Sequence, residues 1–151
     1  MSITVGLVLV VVGALLSSLS IAQRGERFAA DRAEALDEMR GAMARVTKDL
    51  RQADGLDAGA LADHFEADTY VQGVAAHVVY DVSGGILTRQ VNGGSSEVLA
   101  EPLVTDAVFT YEPDAASAEV VAIRLEIRPR TSPDTTIELT SEVRMRNRSS
   151  A

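Results

Sequence analysis

The chain opens with an unbroken segment of apolar and small polar residues. Residues 2–23 (SITVGLVLVVVGALLSSLSIAQ) carry no charge in 22 positions. As a helix, this segment would extend about 33 Å at 1.5 Å per residue, which is enough to cross the hydrocarbon core of a bilayer. The pattern therefore predicts that residues 1–23 form the transmembrane half of an N-terminal helix.

A cleavable secretory signal is the alternative interpretation of the same segment. Residues 3–16 have the length of a signal h-region, and residues 20–22 (SIA) offer small side chains for cleavage directly after them. No basic residue precedes the apolar run, whereas Arg24 and Arg27 follow it and favour a cytoplasmic C-terminal side. Export of the residues after the apolar run requires the opposite charge pattern, with basic residues before the run. We therefore expect a further segment upstream of Met1.

From Arg24 onward the polarity pattern becomes that of an amphipathic helix. Apolar residues recur at spacings of three and four and form one stripe, which comprises Ala29, Ala33, Leu36, Met39, Met43, Val46 and Leu50. No proline occurs before Pro102, and Gly55 offers a helix stop. The pattern predicts one helix of about 50 residues, roughly 75 Å long, in which residues 24–54 are amphipathic.

Period-two alternation replaces the helical period in the second half of the chain. Residues 56–68 are acidic and rich in alanine, and they predict a loop with a helical turn. Turns are predicted at residues 83–85 and 92–94, and a connection at residues 129–133. Strands are predicted where apolar and polar positions alternate, at residues 76–82, 86–91, 97–100, 106–112, 121–127 and 137–146.

Strands with one apolar and one charged face are typical of an antiparallel sheet that covers a helix on one side. The predicted fold class is α+β: a long N-terminal helix, with an apolar membrane half and an amphipathic half, packed on an antiparallel β-sheet head. The predicted division is a transmembrane half at 1–23, an amphipathic half at 24–54 and a β-rich globular head at 55–151.

Charge and cysteine content narrow the function classes. Residues 24–53 hold seven basic and six acidic side chains, whereas residues 54–151 hold seven basic and sixteen acidic ones. An acidic head repels phosphate backbones, so the charge argues against a nucleic-acid partner. The chain has no cysteine, which excludes disulfides, thiol catalysis and cysteine-ligated zinc.

The chain has two histidines, and His64 lies among acidic residues in the predicted loop. Its neighbours Asp63, Glu66 and Asp68 could hold a metal ion, but the ligand spacings of known metal motifs are absent. A solvated acidic loop is the favoured interpretation, and no metal site is predicted.

His77 falls in a predicted strand and is interpreted as a structural or surface residue. A Ser-His-Asp arrangement could be drawn from Ser83, His77 and Asp81, but the Gly-Gly pair after the serine is better explained as a turn, and a nucleophile elbow is absent. The two Gly-Gly pairs are at residues 84–85 and 93–94. Neither pair opens a helix after a strand, as a phosphate-binding loop would. The sequence therefore predicts no catalytic residue, no cofactor and no enzymatic activity.

Three short motifs stand at the helix end, in the first predicted hairpin and near the C-terminus: residues 43–53 (MARVTKDLRQA), residues 79–80 with 85–89 (VY and GILTR), and residues 143–147 (VRMRN). They resemble motifs of type IV pilins and type II secretion pseudopilins, in particular the W-type minor pilins and J-type minor pseudopilins. The family's leader, which ends in Gly and is followed by Phe-Thr-Leu-x-Glu, is not found, and no glutamate precedes Glu26. We therefore expect such a leader upstream of Met1.

The resemblance implies a structural subunit of a type IV pilus or type II secretion-like envelope filament. It implies two partners for the N-terminal helix, inner-membrane lipid and other pilin or pseudopilin subunits. The expected location is the bacterial inner membrane, as a single-pass protein with the head on the exported side. A single-pass or secreted binding module without a filament role is the alternative, and an envelope hydrolase is a more distant one.

Overall fold

The computed structural model describes residues 2–57, 59–130 and 134–145, and it describes no side chain of residues 2–22 or of Arg24. The chain begins with one long helix, α1, at Ser2–Gln52. The predicted transmembrane half depends on side chains that lie outside the described residues. In the part of the chain that is described, no helix is both long and apolar enough to cross a membrane.

The C-terminal part of α1 packs on the rest of the molecule through its apolar stripe. Six side chains of this helix face are buried, namely Ala35, Met39, Ala42, Met43, Val46 and Leu50. The prediction is wrong at the N-terminal end of the stripe, because Ala29 and Ala33 are exposed. The alanine methyl groups continue the helical period, but none of the described strands covers them.

In the described residues after α1, seven antiparallel strands form two sheets. The first sheet has the order β1-β2-β3-β4 and is built from β1 (His64–Val71), β2 (Val74–Ser83), β3 (Ile86–Val91) and β4 (Glu97–Ala100). The second sheet has the order β5-β6-β7 and is built from β5 (Phe109–Glu112), β6 (Val120–Ile127) and β7 (Ile137–Arg144). Six strands lie where alternation predicted them, whereas the loop predicted at residues 56–68 is wrong because β1 begins at His64.

The predicted fold class, an apolar and amphipathic helix packed on one antiparallel sheet, is therefore wrong. The strands form a four-stranded and a three-stranded sheet, and no described helix could span a membrane. Alternation along a strand identifies the strand and its buried face, but it does not identify the neighbour with which the strand pairs. The break falls between β4 and β5, in a segment that contains Pro102.

Backbone hydrogen bonds join the two sheets. The carbonyl of Ala62, just before β1, accepts hydrogen bonds from the N–H groups of Val108 and Phe109, both at 2.8 Å. Farther along, Leu103 forms an isolated antiparallel bridge with Ile127 at the end of β6. The segment between β4 and β5 thus leaves the first sheet and lies along the second.

An aromatic cluster occupies the core between the sheets. Phe65 of β1 stacks on Tyr80 of β2, with ring centroids 4.7 Å apart and an interplanar angle of 20°. The same ring meets Phe109 of β5 edge to face, at 4.8 Å and 84°. All three rings are buried, and α1 closes the core because it contacts strands of both sheets.

The β2–β3 hairpin depends on a glycine pair, as predicted. Gly84 and Gly85 have φ values of +60° and +77°, and positive φ at both central residues is what a type I′ hairpin turn requires. Gly85 is also packed, since a Cβ there would lie 2.8 Å from the carbonyl oxygen of Leu103. This close approach allows a hydrogen bond between the two backbones, since the N–H of Leu103 donates to the carbonyl of Gly85 at 2.7 Å.

Two sequence predictions fall partly outside the described residues. The connection predicted at residues 129–133 lies outside the described residues at positions 131–133. The C-terminal motif at residues 143–147 is described only as far as Met145, which is buried.

Candidate functional site

A buried ionic network fixes α1 to the first sheet. Asp49 of α1 accepts hydrogen bonds through Oδ2 from the hydroxyl of Tyr80, at 2.7 Å, and from Nε of Arg89, at 2.8 Å. Arg89 also donates to the Tyr80 oxygen at 3.1 Å. The exposed fractions of Asp49 and Arg89 are 3% and 4%. We call Asp49, Tyr80 and Arg89 the helix lock.

The protonation states of the helix lock favour structure over catalysis. Burial, followed by the charge of Asp49 and its hydrogen bond, raises the pKa of Tyr80 far above its ordinary value. Burial by itself would lower the pKa of Arg89, but the hydrogen bond to Asp49 and the other contacts raise it overall. A phenol that stays protonated and a guanidinium that stays charged cannot accept a proton near neutral pH, so the network serves to hold the helix in place.

The sequence contained one signal for the helix lock. Asp49 lies three residues after Val46 on the apolar stripe, where an acidic residue is out of place unless it has a buried partner. The identity of the partner could not be predicted, since Arg89 lies 40 residues away along the chain.

Beyond the head, α1 continues as an exposed segment that we call the helix arm, residues 25–34. Eight of these ten residues are exposed, and Phe28 and Asp31 are half-buried. Basic and acidic side chains are mixed along the arm, with Arg27 and Arg32 among Glu26, Asp31 and Glu34. The arm extends about 15 Å at the helical rise, and its surface is available to other molecules.

A second feature is a row of histidines and carboxylates on the outer face of the β1–β2 hairpin. Side chains alternate between the faces of a strand, so His64, Glu66 and Asp68 of β1 point to the same side. The strand register places Asp68 opposite His77 and His64 opposite Asp81. The pairing thus brings both histidines of the chain onto one surface. We call these five residues the histidine–carboxylate row.

Each imidazole in the row lies between two carboxylates. The Nδ1 atom of His77 is 3.0 Å from Oδ1 of Asp68, and its Nε2 atom is 3.1 Å from Oε2 of Glu66. The Nδ1 atom of His64 is 3.3 Å from Oδ1 of Asp81, and its Nε2 atom is 3.3 Å from Oε1 of Glu66. The two rings therefore share Glu66, one on each of its oxygens.

The row perturbs two of its members. The hydrogen bond to Asp68, and then the one to Glu66, raise the pKa of His77 above its ordinary value. The hydrogen bonds from His77 and His64 lower the pKa of Glu66. The side chains remain accessible, with exposed fractions of 27% for His64, 37% for His77 and 38% for Glu66.

A fourth carboxylate approaches the row from the segment that follows α1. The N–H of Asp57 donates a 3.0 Å hydrogen bond to the carbonyl of Glu66, which aligns this segment along β1. Among the described residues, ligand atoms of Asp57, Glu66 and His77 lie within 4.8 Å of one another. These three side chains are the ones that could hold a metal ion.

The structure brings the predicted residues together in a different way from that expected. His64 contacts Glu66, as its position in the sequence suggested, but Asp68 contacts His77 instead. The arrangement of Ser83, His77 and Asp81 considered as a triad is not assembled, because Asp81 contacts His64. Ser83 lies six residues from His77 along β2, about 20 Å at the usual rise, which is far beyond hydrogen-bond reach.

Comparison with protein-family models, with curated proteins and with solved structures finds no match for this chain. The class of the protein is therefore defined by its own architecture, one helix on two antiparallel sheets with a helix lock and a histidine–carboxylate row. The resemblance to pilins and pseudopilins stays a prediction from short motifs.

Proposed function

We propose that this chain is a structural subunit that assembles with other subunits through α1, as a minor pilin or pseudopilin does in a type IV pilus or type II secretion-like filament. One observation carries the proposal. The buried face of α1 begins at Ala35, and eight of the ten residues of the helix arm before it are exposed. A helix that only completed a head core would have no need of such an extension.

The helix lock supports the same proposal. Buried charges contribute little net stability, but they disfavour any other arrangement of the elements that carry them. Here the charges join α1 to β3, and the side chain of Thr69 adds a 2.8 Å hydrogen bond to the backbone carbonyl of Asp49. A helix fixed to its head in one orientation can place identical heads at regular positions in an assembly.

The proposal includes the partners and the location expected from the sequence. Sister subunits would contact the helix arm, where side chains of both signs permit ion pairs between copies. The location at the bacterial inner membrane depends on residues 1–23. It stays a prediction, as does the contact of this segment with lipid. The acidic head continues to argue against nucleic acid.

The alternative is a binding module without a filament role, and one feature favours it. Tyr70 and Val74, beside the turn of the β1–β2 hairpin, are exposed to 46% and 68%. Exposed aromatic and aliphatic side chains at a hairpin tip are suited to contact a partner protein. This alternative predicts a partner on the head and no contact between copies along the helix arm.

Cysteine crosslinking separates the two functions, because the natural chain contains no cysteine. Single cysteines are introduced around the helix arm, at Arg27, Ala29, Ala30 and Arg32. Thr110→Cys, on the exposed face of β5, is the matched control. The proposal expects that a bifunctional maleimide, added to cells that express the full chain, yields covalent multimers from at least one arm variant and not from the control.

Two outcomes would count against the filament subunit. One is that every arm variant stays monomeric although each cysteine reacts with a monofunctional maleimide. The other is equal multimer formation by the arm variants and by Thr110→Cys, which indicates random collision. The single-pass or secreted binding module would then be the better interpretation.

A further inference from the structure

The histidine–carboxylate row has more hydrogen-bond acceptors than donors when its imidazoles are neutral. A carboxylate only accepts hydrogen bonds, and a neutral imidazole donates through only one of its two nitrogens. Both nitrogens of His77 face carboxylates, Asp68 on one side and Glu66 on the other, and His64 is placed in the same way. A neutral ring in this position turns the lone pair of one nitrogen toward a carboxylate, and a cation placed between them would relieve that repulsion.

The pattern of contacts indicates where such an ion would lie. In both rings Nδ1 faces a carboxylate of its own, Asp68 or Asp81, and Nε2 faces the shared Glu66. Histidines that bind metals commonly donate the other ring N–H to a carboxylate, which fixes the tautomer and the orientation of the ring. Asp68 and Asp81 already occupy that position, so each Nε2 atom faces Glu66, that of His77 at Oε2 and that of His64 at Oε1.

We propose that Asp57, Glu66 and His77 bind one divalent transition-metal ion of the zinc class, while His64 holds the other carboxylate oxygen of Glu66 and orients it. The ligand atoms of the first three residues lie within 4.8 Å of one another. Tetrahedral zinc with bonds of 2.0–2.1 Å requires neighbouring ligands about 3.3 Å apart, so small side-chain rotations are sufficient to close the site. The exposure of the row leaves room for water as a remaining ligand.

The ligand chemistry selects the metal class. Imidazole nitrogen suits Zn²⁺, Co²⁺, Ni²⁺ and Cu²⁺, whereas Ca²⁺ and Mg²⁺ prefer sites made of oxygen ligands alone. The imidazole of His77 among the proposed ligands therefore favours the transition metals.

The position of the site indicates what the ion would do. Asp57 belongs to the segment after α1, Glu66 to β1 and His77 to β2. An ion bound to all three would tie the end of the helix to the edge of the first sheet. Because binding to the folded state alone stabilises it, a 100-fold excess over Kd should raise Tm by about 5 to 10 °C.

The test uses the untagged full chain, stripped of metal with EDTA and desalted. It is titrated with ZnCl₂ in a calorimeter, and Tm is measured with and without the ion. The expected result is saturable 1:1 binding and a rise in Tm, with weaker or no response to CaCl₂ and MgCl₂. CoCl₂ adds a spectroscopic readout, because intense visible d–d bands are expected for a site with four ligands.

Variants assign the response to the proposed ligands. We expect His77→Ala and Asp57→Asn to weaken Zn²⁺ binding by at least about 10-fold, as even second-shell changes do at metal sites. Glu142→Gln, an exposed carboxylate on β7 of the other sheet, is the matched control and should bind as the natural chain does. His77→Gln keeps a hydrogen-bond donor and replaces His77→Ala if circular dichroism shows that the alanine variant is unfolded.

Three results would overturn the site. The first is the absence of saturable heat and of a Tm shift with Zn²⁺, Co²⁺ and Ni²⁺. The second is Zn²⁺ binding of equal strength in folded His77→Gln and Asp57→Asn variants, which would place the ion elsewhere. The third is a preference for Ca²⁺ over Zn²⁺, which would show that the imidazole of His77 is not a ligand.

Discussion

Replacing Asp49 by alanine should remove a large fraction of the protein's free energy of unfolding. The substitution leaves Arg89 buried, with an exposed fraction of 4%, and removes the carboxylate that Nε contacts at 2.8 Å. Removing one partner of a buried ion pair typically costs about 3 to 5 kcal/mol, because the remaining charge has no compensation. Domains of this size have a free energy of unfolding of about 5 to 15 kcal/mol, so the effect is large and measurable.

Two further variants show whether the uncompensated charge is the cause. Tyr80→Phe removes only the hydroxyl that donates to Asp49 at 2.7 Å, and the loss of one hydrogen bond to a charged group should cost about 1.5 to 3 kcal/mol. The double variant Asp49→Leu with Arg89→Met replaces both charges by apolar side chains. It leaves the Tyr80 hydroxyl without an acceptor, but it should lose less stability than Asp49→Ala, because no uncompensated buried charge remains.

Urea unfolding at 25 °C, followed by far-ultraviolet circular dichroism, measures all three variants on one scale. The slope of the free energy against urea concentration should stay constant, which shows that the variants unfold the same structure. A loss below about 1 kcal/mol for Asp49→Ala would refute the reasoning, since the buried charge would then be hydrated or paired elsewhere. A double variant as unstable as the single one would refute it as well.

Three further predictions concern the core, a turn and the surface. Val46→Asp buries a charge at a fully covered position and should cost more than about 4 kcal/mol, whereas Arg45→Asp, at an exposed position one residue earlier, should cost less than about 1 kcal/mol. Equal shifts in Tm would contradict the packing of α1. Gly85→Ala should destabilise the chain by about 1 to 3 kcal/mol more than Gly73→Ala, because both have positive φ but only the former meets a backbone oxygen at 2.8 Å. Equal urea midpoints for Gly85→Ala and Gly73→Ala would contradict this prediction. In EDTA, the Tm difference between the natural chain and His77→Ala should be largest between the ordinary pKa values of 4.5 for glutamate and 6.5 for histidine. The raised pKa of His77 stabilises the fold below pH 6.5 and ceases to do so as the pH rises through the folded-state value, and the lowered pKa of its glutamate partner stabilises it above pH 4.5. A difference that stays constant from pH 5 to pH 9 would exclude this contribution.

The strands could be predicted where apolar residues alternate strongly. In β6, Val121, Ile123, Leu125 and Ile127 all point into the core, as the period of two requires. β1 escaped prediction because two of its three buried positions carry small or polar side chains, Ala67 and Thr69 beside Phe65. The acidic residues between them gave the segment the composition of a loop. The sequence signal that could have identified β1 was the alternation of Phe65, Ala67 and Thr69 with charged residues, followed by a turn at residues 72–73.

The histidine–carboxylate row could not be predicted without β1. With residues 56–68 interpreted as a loop, His64 and His77 had no reason to share a surface. Only the antiparallel register places Glu66 between them. The division into two sheets was hidden for a related reason, since the pairing of strands is a long-range property that a local pattern does not encode.

The contact between α1 and β7 has a consequence during synthesis. The helix leaves the ribosome first, and 87 residues separate Leu50 from the start of β7 at Ile137. At 5 to 20 residues per second, the ribosome needs about 4 to 17 s to make them. Throughout that interval the buried stripe of α1 lacks its final cover. The nascent chain thus carries an uncovered apolar stripe until its last strand emerges.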